Sequence, residues 1–130
     1  MMWKIYKDDG QDLSFAISCL YYDAINMNEF NQWIEEVIRT TKIEDIPDYI
    51  FSLLENQDIY NIYNIIGFVP DGYLDSNKKD ALFGIALLRG TKPYDMNVSE
   101  NYALALLKEN PEILKIFHRI FPLISLQQLG

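Results

Sequence analysis

Apolar residues recur with helical spacing along most of the first half of the chain. Residues 29–41 place one apolar stripe opposite a polar face, and Asn28 precedes that stripe as a suitable N-cap. Residues 47–55 and 58–66 repeat the pattern, and Gly67 follows the second of them as a stop signal. Each of these segments is therefore predicted to form an amphipathic helix with one buried face.

Residues 12–24 have the same spacing but carry apolar side chains on both sides. Leu13 and Ile17 mark the side that faces the core, which leaves Phe15 and Cys19 on the other side. Either a second layer of protein covers that side, or its aromatic residues are exposed and contribute to a binding surface. Ahead of this segment, "MWKIY" is predicted to be either a short edge strand or an extended anchoring tail.

The second half has two helical segments, residues 77–89 and 100–109, that are apolar on almost all sides. Such helices belong at the centre of a bundle, where every side contacts protein. Gly84 predicts a close approach by another helix, because it has no side chain to hold that helix away. Pro111 predicts the start of a last helix, after which residues 123–130 add a turn or fray.

Together these segments predict an all-α fold, an irregular bundle of about seven helices that forms one domain over residues 1–130. No run of about 18 apolar residues is present, so a membrane span is not expected. The chain has a single cysteine, and its first residues do not resemble a secretory signal. Both features favour a cytoplasmic protein.

The loop "PDGYLDS" at residues 70–76 is rich in oxygen ligands. A calcium-binding loop that starts at Asp71 would have serine where glycine is required and leucine where glutamate is required. A phosphate-binding loop needs clustered glycines directly before a helix, and Gly72 stands alone and well ahead of one. The loop therefore predicts a β-turn at residues 70–73, followed by an N-cap at Asp75 or Ser76.

Candidate catalytic chemistry is sparse. His118 is the only histidine and has no nucleophile or paired carboxylate beside it in the sequence. Cys19 lies in an apolar helix, without a basic neighbour that would lower its pKa. One cysteine and one histidine cannot build a structural zinc site. The sequence therefore predicts that the protein is not an enzyme, has no catalytic residues and uses no cofactor or metal.

The net charge is −8, and it is unevenly distributed. Residues 1–65 contain twelve Asp and Glu against four Lys and Arg, which gives −8, whereas residues 66–130 contain seven of each kind. A negative field repels nucleic acid, whose binding depends on contacts to phosphates, and it attracts a basic partner. The alternative interpretation is that the excess charge only keeps the protein soluble.

A small, acidic, helical chain with little catalytic chemistry resembles the immunity proteins of bacterial competition systems. In particular, "MWKIYKDDGQDLSFAISCLYYDAINMNEFNQWIEEVIRTTKIEDIPDYI" and "IIGFVPDGYLDSNKKDALFGIALLRG" are similar to immunity proteins of contact-dependent growth inhibition loci, the CdiI type. The resemblance covers most of the chain. It implies a protein that binds and neutralises the C-terminal toxin domain of a CdiA effector. Many such toxins are nucleases, including EndoU-type tRNases, with basic clefts for RNA.

Against such a nuclease, the acidic half of this chain is expected to cover the basic active-site cleft. Direct contact with nucleic acid or with a membrane is not expected. Aromatic side chains near the carboxylates would anchor the complex. The candidate toxin-binding residues are Asp8, Asp9, Asp12, Phe15, Tyr21, Tyr22, Asp23, Glu29, Glu35, Glu36, Glu44, Asp45 and Asp48. The alternative function is that of an acidic helical adaptor or regulatory subunit that binds a housekeeping protein.

Overall fold

The computed structural model describes residues 2–126 as an all-α fold, which confirms the predicted fold class. Its seven α-helices are α1 (Gln11–Tyr21), α2 (Met27–Thr40), α3 (Asp48–Glu55), α4 (Ile62–Ile66), α5 (Ala81–Leu88), α6 (Glu100–Glu109) and α7 (Pro111–Ile120). Single 3-10 turns lie at Ile43–Asp45, Ile59–Asn61 and Lys78–Asp80. No helix in this part of the chain is both long enough and apolar enough to cross a membrane.

The N-terminal segment is an extended, anchored tail. An isolated antiparallel bridge joins Tyr6 to Asp9 through two backbone hydrogen bonds of 3.0 and 3.1 Å, and no strand is present among the described residues. Trp3 and Ile5 are buried, and the Trp3 indole N–H donates to Thr40 Oγ1 at 2.9 Å. The anchoring tail is therefore the correct alternative, and the edge strand is wrong.

The chain divides into two compact units. The first unit contains residues 1–17 and 26–73, and the second contains residues 18–25 and 74–130. Helix α1 therefore supplies its first seven residues to the first unit and its last four to the second. The expectation of a single domain over residues 1–130 stays a prediction.

In the first unit, α2 begins with a capping box. The Asn26 side chain accepts a hydrogen bond from Glu29 N at 2.8 Å, and Glu29 Oε1 accepts one from Asn26 N at 3.0 Å. The predicted cap at Asn28 is therefore wrong, and the helix begins at Met27, two residues earlier than the apolar stripe indicates. The predicted inner face is correct, since Phe30, Trp33, Ile34 and Val37 are all buried.

Packing and side-chain hydrogen bonds hold the segment that follows α4. The helix ends at Gly67, which adopts the left-handed conformation with φ of 82°, as predicted. The β-turn predicted at residues 70–73 is wrong, because no hydrogen-bonded turn forms there. Instead, Pro70 is buried so close to Gly10 that a Cβ on this glycine would lie 2.9 Å from Pro70 Cβ. Asp75 Oδ1 accepts from Lys78 N at 2.9 Å ahead of the 3-10 turn at Lys78–Asp80. Helix α5 itself begins at Ala81 without a side-chain cap, so the predicted cap of that helix is wrong.

In the second unit, α5 and α6 pack closely together. Every residue from Ala81 to Ala86 is buried, as the uniformly apolar sequence predicts. The same prediction is wrong for residues 100–109, because α6 buries only Ala103 and Leu107. Gly84 allows the close approach, because a Cβ at this position would lie 2.9 Å from the Ala103 carbonyl oxygen and 3.2 Å from Leu107 Cβ. The contact predicted from this glycine is therefore present.

Local hydrogen bonds define the ends of the next helices. The Ser99 side chain accepts from Tyr102 N at 3.1 Å and so caps α6. Helix α7 begins at Pro111 as predicted, but the Asn110 side chain donates to the Leu106 carbonyl at 2.8 Å and does not cap it.

The chain makes one more turn after α7, closed by a 3.2 Å hydrogen bond from Ile124 N to the Phe121 carbonyl. Residues 127–130, on which part of the predicted final turn or frayed end falls, lie outside the described residues.

Replacing Gly84 with alanine tests the packing of α5 on α6. Alanine favours a helix by about 1 kcal/mol over glycine. However, its methyl group would overlap a backbone carbonyl, and we expect the resulting shift to cost about 2–3 kcal/mol. Gly84→Ala should therefore lower the free energy of unfolding by about 1–2 kcal/mol in urea denaturation.

The control for this variant is Ser52→Ala on the exposed side of α3, which should change the unfolding free energy by no more than about 0.5 kcal/mol. A Gly84→Ala protein as stable as the wild type would contradict the close contact of the two helices.

Candidate functional site

The net charge of the chain resides in one structural unit. The first unit contains twelve Asp and Glu against four Lys and Arg, which gives −8. The second unit contains seven of each kind, which gives zero. A basic partner is therefore attracted to the first unit and gains no net attraction from the second.

Six of the predicted site residues are exposed on the first unit. Among the described residues, their side-chain carboxylates form no hydrogen bond and no ion pair. They are Asp8, Asp9, Glu35, Glu44, Asp45 and Asp48. These carboxylates are therefore hydrated and available to pair with cations of another protein.

The exposed carboxylates of the first unit form what we call the acidic surface. Two tyrosine hydroxyls attach the N-terminal tail to the part of this surface at residues 45–49. The Tyr6 hydroxyl donates to the Asp45 carbonyl at 2.8 Å, and the Tyr49 hydroxyl donates to the Ile5 carbonyl at 2.6 Å. The Tyr6–Asp9 bridge closes a turn at residues 7–8, and the Tyr6 hydroxyl attaches this part of the tail to the acidic 3-10 turn at Ile43–Asp45.

Two further predicted carboxylates are engaged within α2. Glu29 belongs to the capping box, and Glu36 forms an ion pair with Arg39, one helical turn away. The hydrogen bond and charge of Glu36 raise the pKa of Arg39, which stays protonated in either case. Both carboxylates are half-buried, so they contribute to the negative field but are less available than the six exposed ones.

Asp12 and Phe15 lie in the interior of the first unit, where a partner cannot reach them. Asp12 is 1% exposed, and its carboxylate accepts hydrogen bonds from Lys4 N at 2.9 Å and from the Tyr73 hydroxyl at 2.8 Å. Phe15 is 2% exposed and its ring lies edge-on to Tyr73 at 6.4 Å between centroids. The alternative of a covered helix α1 is therefore correct for Phe15, and also for the buried Cys19.

The last three predicted residues, Tyr21, Tyr22 and Asp23, belong to the neutral second unit. The Tyr22 ring packs on Phe83 at 4.7 Å, and burial, followed by the charge of Asp80, raises the pKa of this tyrosine. These three residues are therefore not part of the unit that carries the net charge.

Asp23 has a structural task at the end of α1. It adopts the left-handed conformation, with φ of 63°, and the next residue, Ala24, donates its N–H to the Cys19 carbonyl at 2.9 Å. This is the Schellman arrangement that ends many helices. The Asp23 carboxylate also accepts from Tyr94 N at 3.4 Å, and Arg89 donates to the Ala24 carbonyl at 2.7 Å.

Sequence reasoning missed two exposed apolar residues, Ile43 and Phe51. Ile43 is 74% exposed in the 3-10 turn, and Phe51 is 37% exposed on α3. A signal for both was present in the sequence. Phe51 lies off the apolar stripe of the predicted helix 47–55, and Ile43 lies between the charged residues Lys42 and Glu44.

Cys19 and His118, the residues whose side chains are most often catalytic, are not placed in a reactive arrangement. Burial raises the pKa of the Cys19 thiol well above its usual value, so the nucleophilic thiolate is disfavoured at neutral pH. His118 is exposed on α7. Within residues 2–126, no three His, Cys, Asp or Glu side chains are grouped so that they could hold a metal ion.

No family model, no curated protein and no solved structure matches this chain.

Replacing Asp12 with alanine tests its structural role. The substitution removes the acceptor of the Lys4 N–H and of the Tyr73 hydroxyl, so both donors lose a charged partner in a part-buried region. We expect the free energy of unfolding to fall by about 2–4 kcal/mol. The exposed Asp9→Ala should change it by no more than about 0.5 kcal/mol in the same urea titration. Equal stabilities of the two variants would refute the structural assignment of Asp12.

Replacing Tyr49 with phenylalanine tests how the tail is attached to α3. The variant loses the hydrogen bond to the Ile5 carbonyl, so at pH 8 its unfolding free energy should be lower by about 1 kcal/mol. Burial, followed by the neighbouring Tyr6, raises the pKa of Tyr49 above its ordinary value of 10.0. The neutral phenol therefore stabilises the fold fully below pH 10, and this contribution is lost as the pH rises through the raised pKa.

The stability difference between wild type and Tyr49→Phe should accordingly shrink between pH 8 and pH 11. Urea denaturation at several pH values measures it, with Tyr102→Phe on the exposed side of α6 as a control that stays close to wild type. A difference that is constant with pH would disagree with the raised pKa.

Proposed function

We propose that the protein is an immunity protein that binds the C-terminal toxin domain of a CdiA effector and neutralises it. The toxin in this proposal is a nuclease with a basic active-site cleft, for which EndoU-type tRNases are a suitable class. The protein acts in the cytoplasm, where such a toxin would meet its substrate. The supporting observation is the concentration of the whole net charge, −8, in the first unit.

The mechanism of neutralisation is occlusion of the cleft. A nuclease that binds RNA presents lysine and arginine to phosphate groups. The six exposed carboxylates Asp8, Asp9, Glu35, Glu44, Asp45 and Asp48 supply the same negative charge and form no hydrogen bond or ion pair among the described residues. They therefore replace the phosphates as counter-charges, speed the encounter and exclude the substrate. The protein itself contacts neither nucleic acid nor membrane in this mechanism.

Co-expression tests the proposed function. On this proposal, the gene directly upstream encodes a large secreted effector, and the C-terminal region of that effector is the toxin domain to use. Cells that express the toxin domain alone should stop growing, and cells that also express this protein should grow. If growth stays arrested, the immunity function is refuted, and an adaptor that binds a housekeeping protein becomes the better hypothesis.

Charge reversal tests the mechanism separately. The triple variant Glu44→Lys, Asp45→Lys and Asp48→Lys changes the charge of the first unit from −8 to −2. At low ionic strength, the association rate constant with the toxin domain should fall by about tenfold or more, and its dependence on salt should flatten. Stopped-flow fluorescence at several salt concentrations measures both quantities.

A matched control places the same three reversals on the second unit. Asp95, Glu100 and Glu109 are exposed there, and their replacement by lysine changes the total charge equally. This control should retain most of the wild-type association rate. If both triple variants lose the same rate, the total charge matters and the location of the acidic surface does not.

A further inference from the structure

Helix α3 presents an exposed face that is not purely polar. Its exposed residues are Asp48, Phe51, Ser52 and Glu55, which recur at the spacing of one helical face. The neighbouring residues Ile50 and Leu53 are buried, so the helix already covers its ordinary apolar face against the first unit. Phe51 therefore lies on the outer face. The Asp48 carboxylate is one helical turn before it, and the Glu55 carboxylate is one helical turn after it.

The 3-10 turn that precedes α3 exposes a second apolar side chain. Ile43 is 74% exposed and is followed directly by Glu44 and Asp45. Between Ile43 and Glu55 the chain contains four carboxylates and no lysine or arginine. One exposed cation, Lys42, directly precedes Ile43. Exposed apolar side chains among charges that are mainly of one sign are typical of a binding surface, because covering them by a partner releases water while the charges select that partner.

We propose that the exposed face of segment 43–55 is the surface on which the basic toxin domain docks, with Ile43 and Phe51 as apolar anchors. The inference rests on the proposed function and specifies which part of the first unit carries it. The partner is identified by charge complementarity, since a segment with four carboxylates, against the one neighbouring cation Lys42, fits a protein rich in lysine and arginine. The two anchors supply contact area that charge alone lacks.

The segment is held in place before any partner binds. Its 3-10 turn is closed by a hydrogen bond from Ile46 N to the Ile43 carbonyl at 3.3 Å, and Ile46 is buried. The hydroxyls of Tyr6 and Tyr49 attach this stretch to the N-terminal tail at residues 45 and 49. A surface that is ordered in advance loses little conformational entropy on binding.

Other exposed apolar residues lack this combination. Tyr94 and Leu123 are more exposed, but they lie in the second unit, whose net charge is zero. Tyr60 and Val69 lie in the first unit outside the acidic segment, and they provide matched controls for the anchors.

The experiment compares two double variants in calorimetric titrations with the toxin domain. Ile43→Ser with Phe51→Ser should weaken binding by about thirtyfold or more, the loss typical of central interface anchors. Tyr60→Ser with Val69→Ser should change the affinity by less than about threefold. Urea denaturation of both variants verifies that they remain folded at the titration temperature.

Hydrogen–deuterium exchange on the wild-type complex gives a result that needs no variant. Amides of residues 43–55 should exchange more slowly in the complex than in the free protein, and amides of α6 and α7 should be unchanged. This measurement decides the question even if the double serine variant unfolds.

The outcomes separate the two proposals. If the wild-type chain does not bind the toxin domain, the proposed function fails and the docking surface fails with it. If the wild type binds but the anchor variant binds equally well, or protection appears only outside residues 43–55, the docking surface is wrong while the immunity function stands.

Discussion

The Asp12 carboxylate joins the beginning and the end of the first unit. It accepts from Lys4 N and from the Tyr73 hydroxyl, and the N–H of the same residue donates to the Lys4 carbonyl at 3.0 Å. Residues 4 and 73 lie 69 positions apart, and the rest of the first unit is found between them. A buried carboxylate is costly unless it is hydrogen-bonded, and here its two oxygens each receive a donor. The tail and the segment after α4 thus acquire their positions from one side chain of α1.

The tail that Asp12 holds also supports the acidic surface, and the exposed carboxylates of that surface take no part in the supporting hydrogen bonds. The tail reaches the 43–49 region through tyrosine hydroxyls that donate to backbone carbonyls, those of Asp45 and Ile5. In helix α2, the Glu29 carboxylate belongs to the capping box and the Glu36 carboxylate pairs with Arg39. The remaining carboxylates stay at the surface, where water screens their mutual repulsion. The fold therefore tolerates a large negative charge by assigning its internal hydrogen bonds mainly to other groups.

Local patterns in the sequence predicted the helices well, because each apolar stripe reports directly which side of a helix is buried. Gly67 and Gly84 both act as their local context indicates. The errors arose where distant residues decide the outcome. Asp12 looks like a surface residue until Tyr73, 61 positions away, becomes its partner, and the loop at residues 70–73 is shaped by contact with Gly10.

The candidate site was predicted in sign but not in composition. Charge can be counted along the chain, so the negative half was evident and coincides with the unit that carries −8. Which carboxylates are buried, capped or paired depends on tertiary contacts that counting does not reveal. The carboxylates were expected at the surface, and some are buried or paired. Phe51 is the reverse case, since an aromatic residue in a helix is ordinarily assigned to the core but this one is exposed.

The interrupted course of the first unit limits how genes for such chains can recombine. A single crossover after codon 73 transfers the complete acidic unit, but it also transfers residues 18–25, which belong to the other unit. Within that short insert, Tyr22 packs on Phe83 and the Ala24 carbonyl accepts from Arg89. A chimaera would therefore need both of these pairings to match across the junction. Point substitutions at the exposed carboxylates of the first unit, by contrast, leave both pairings intact.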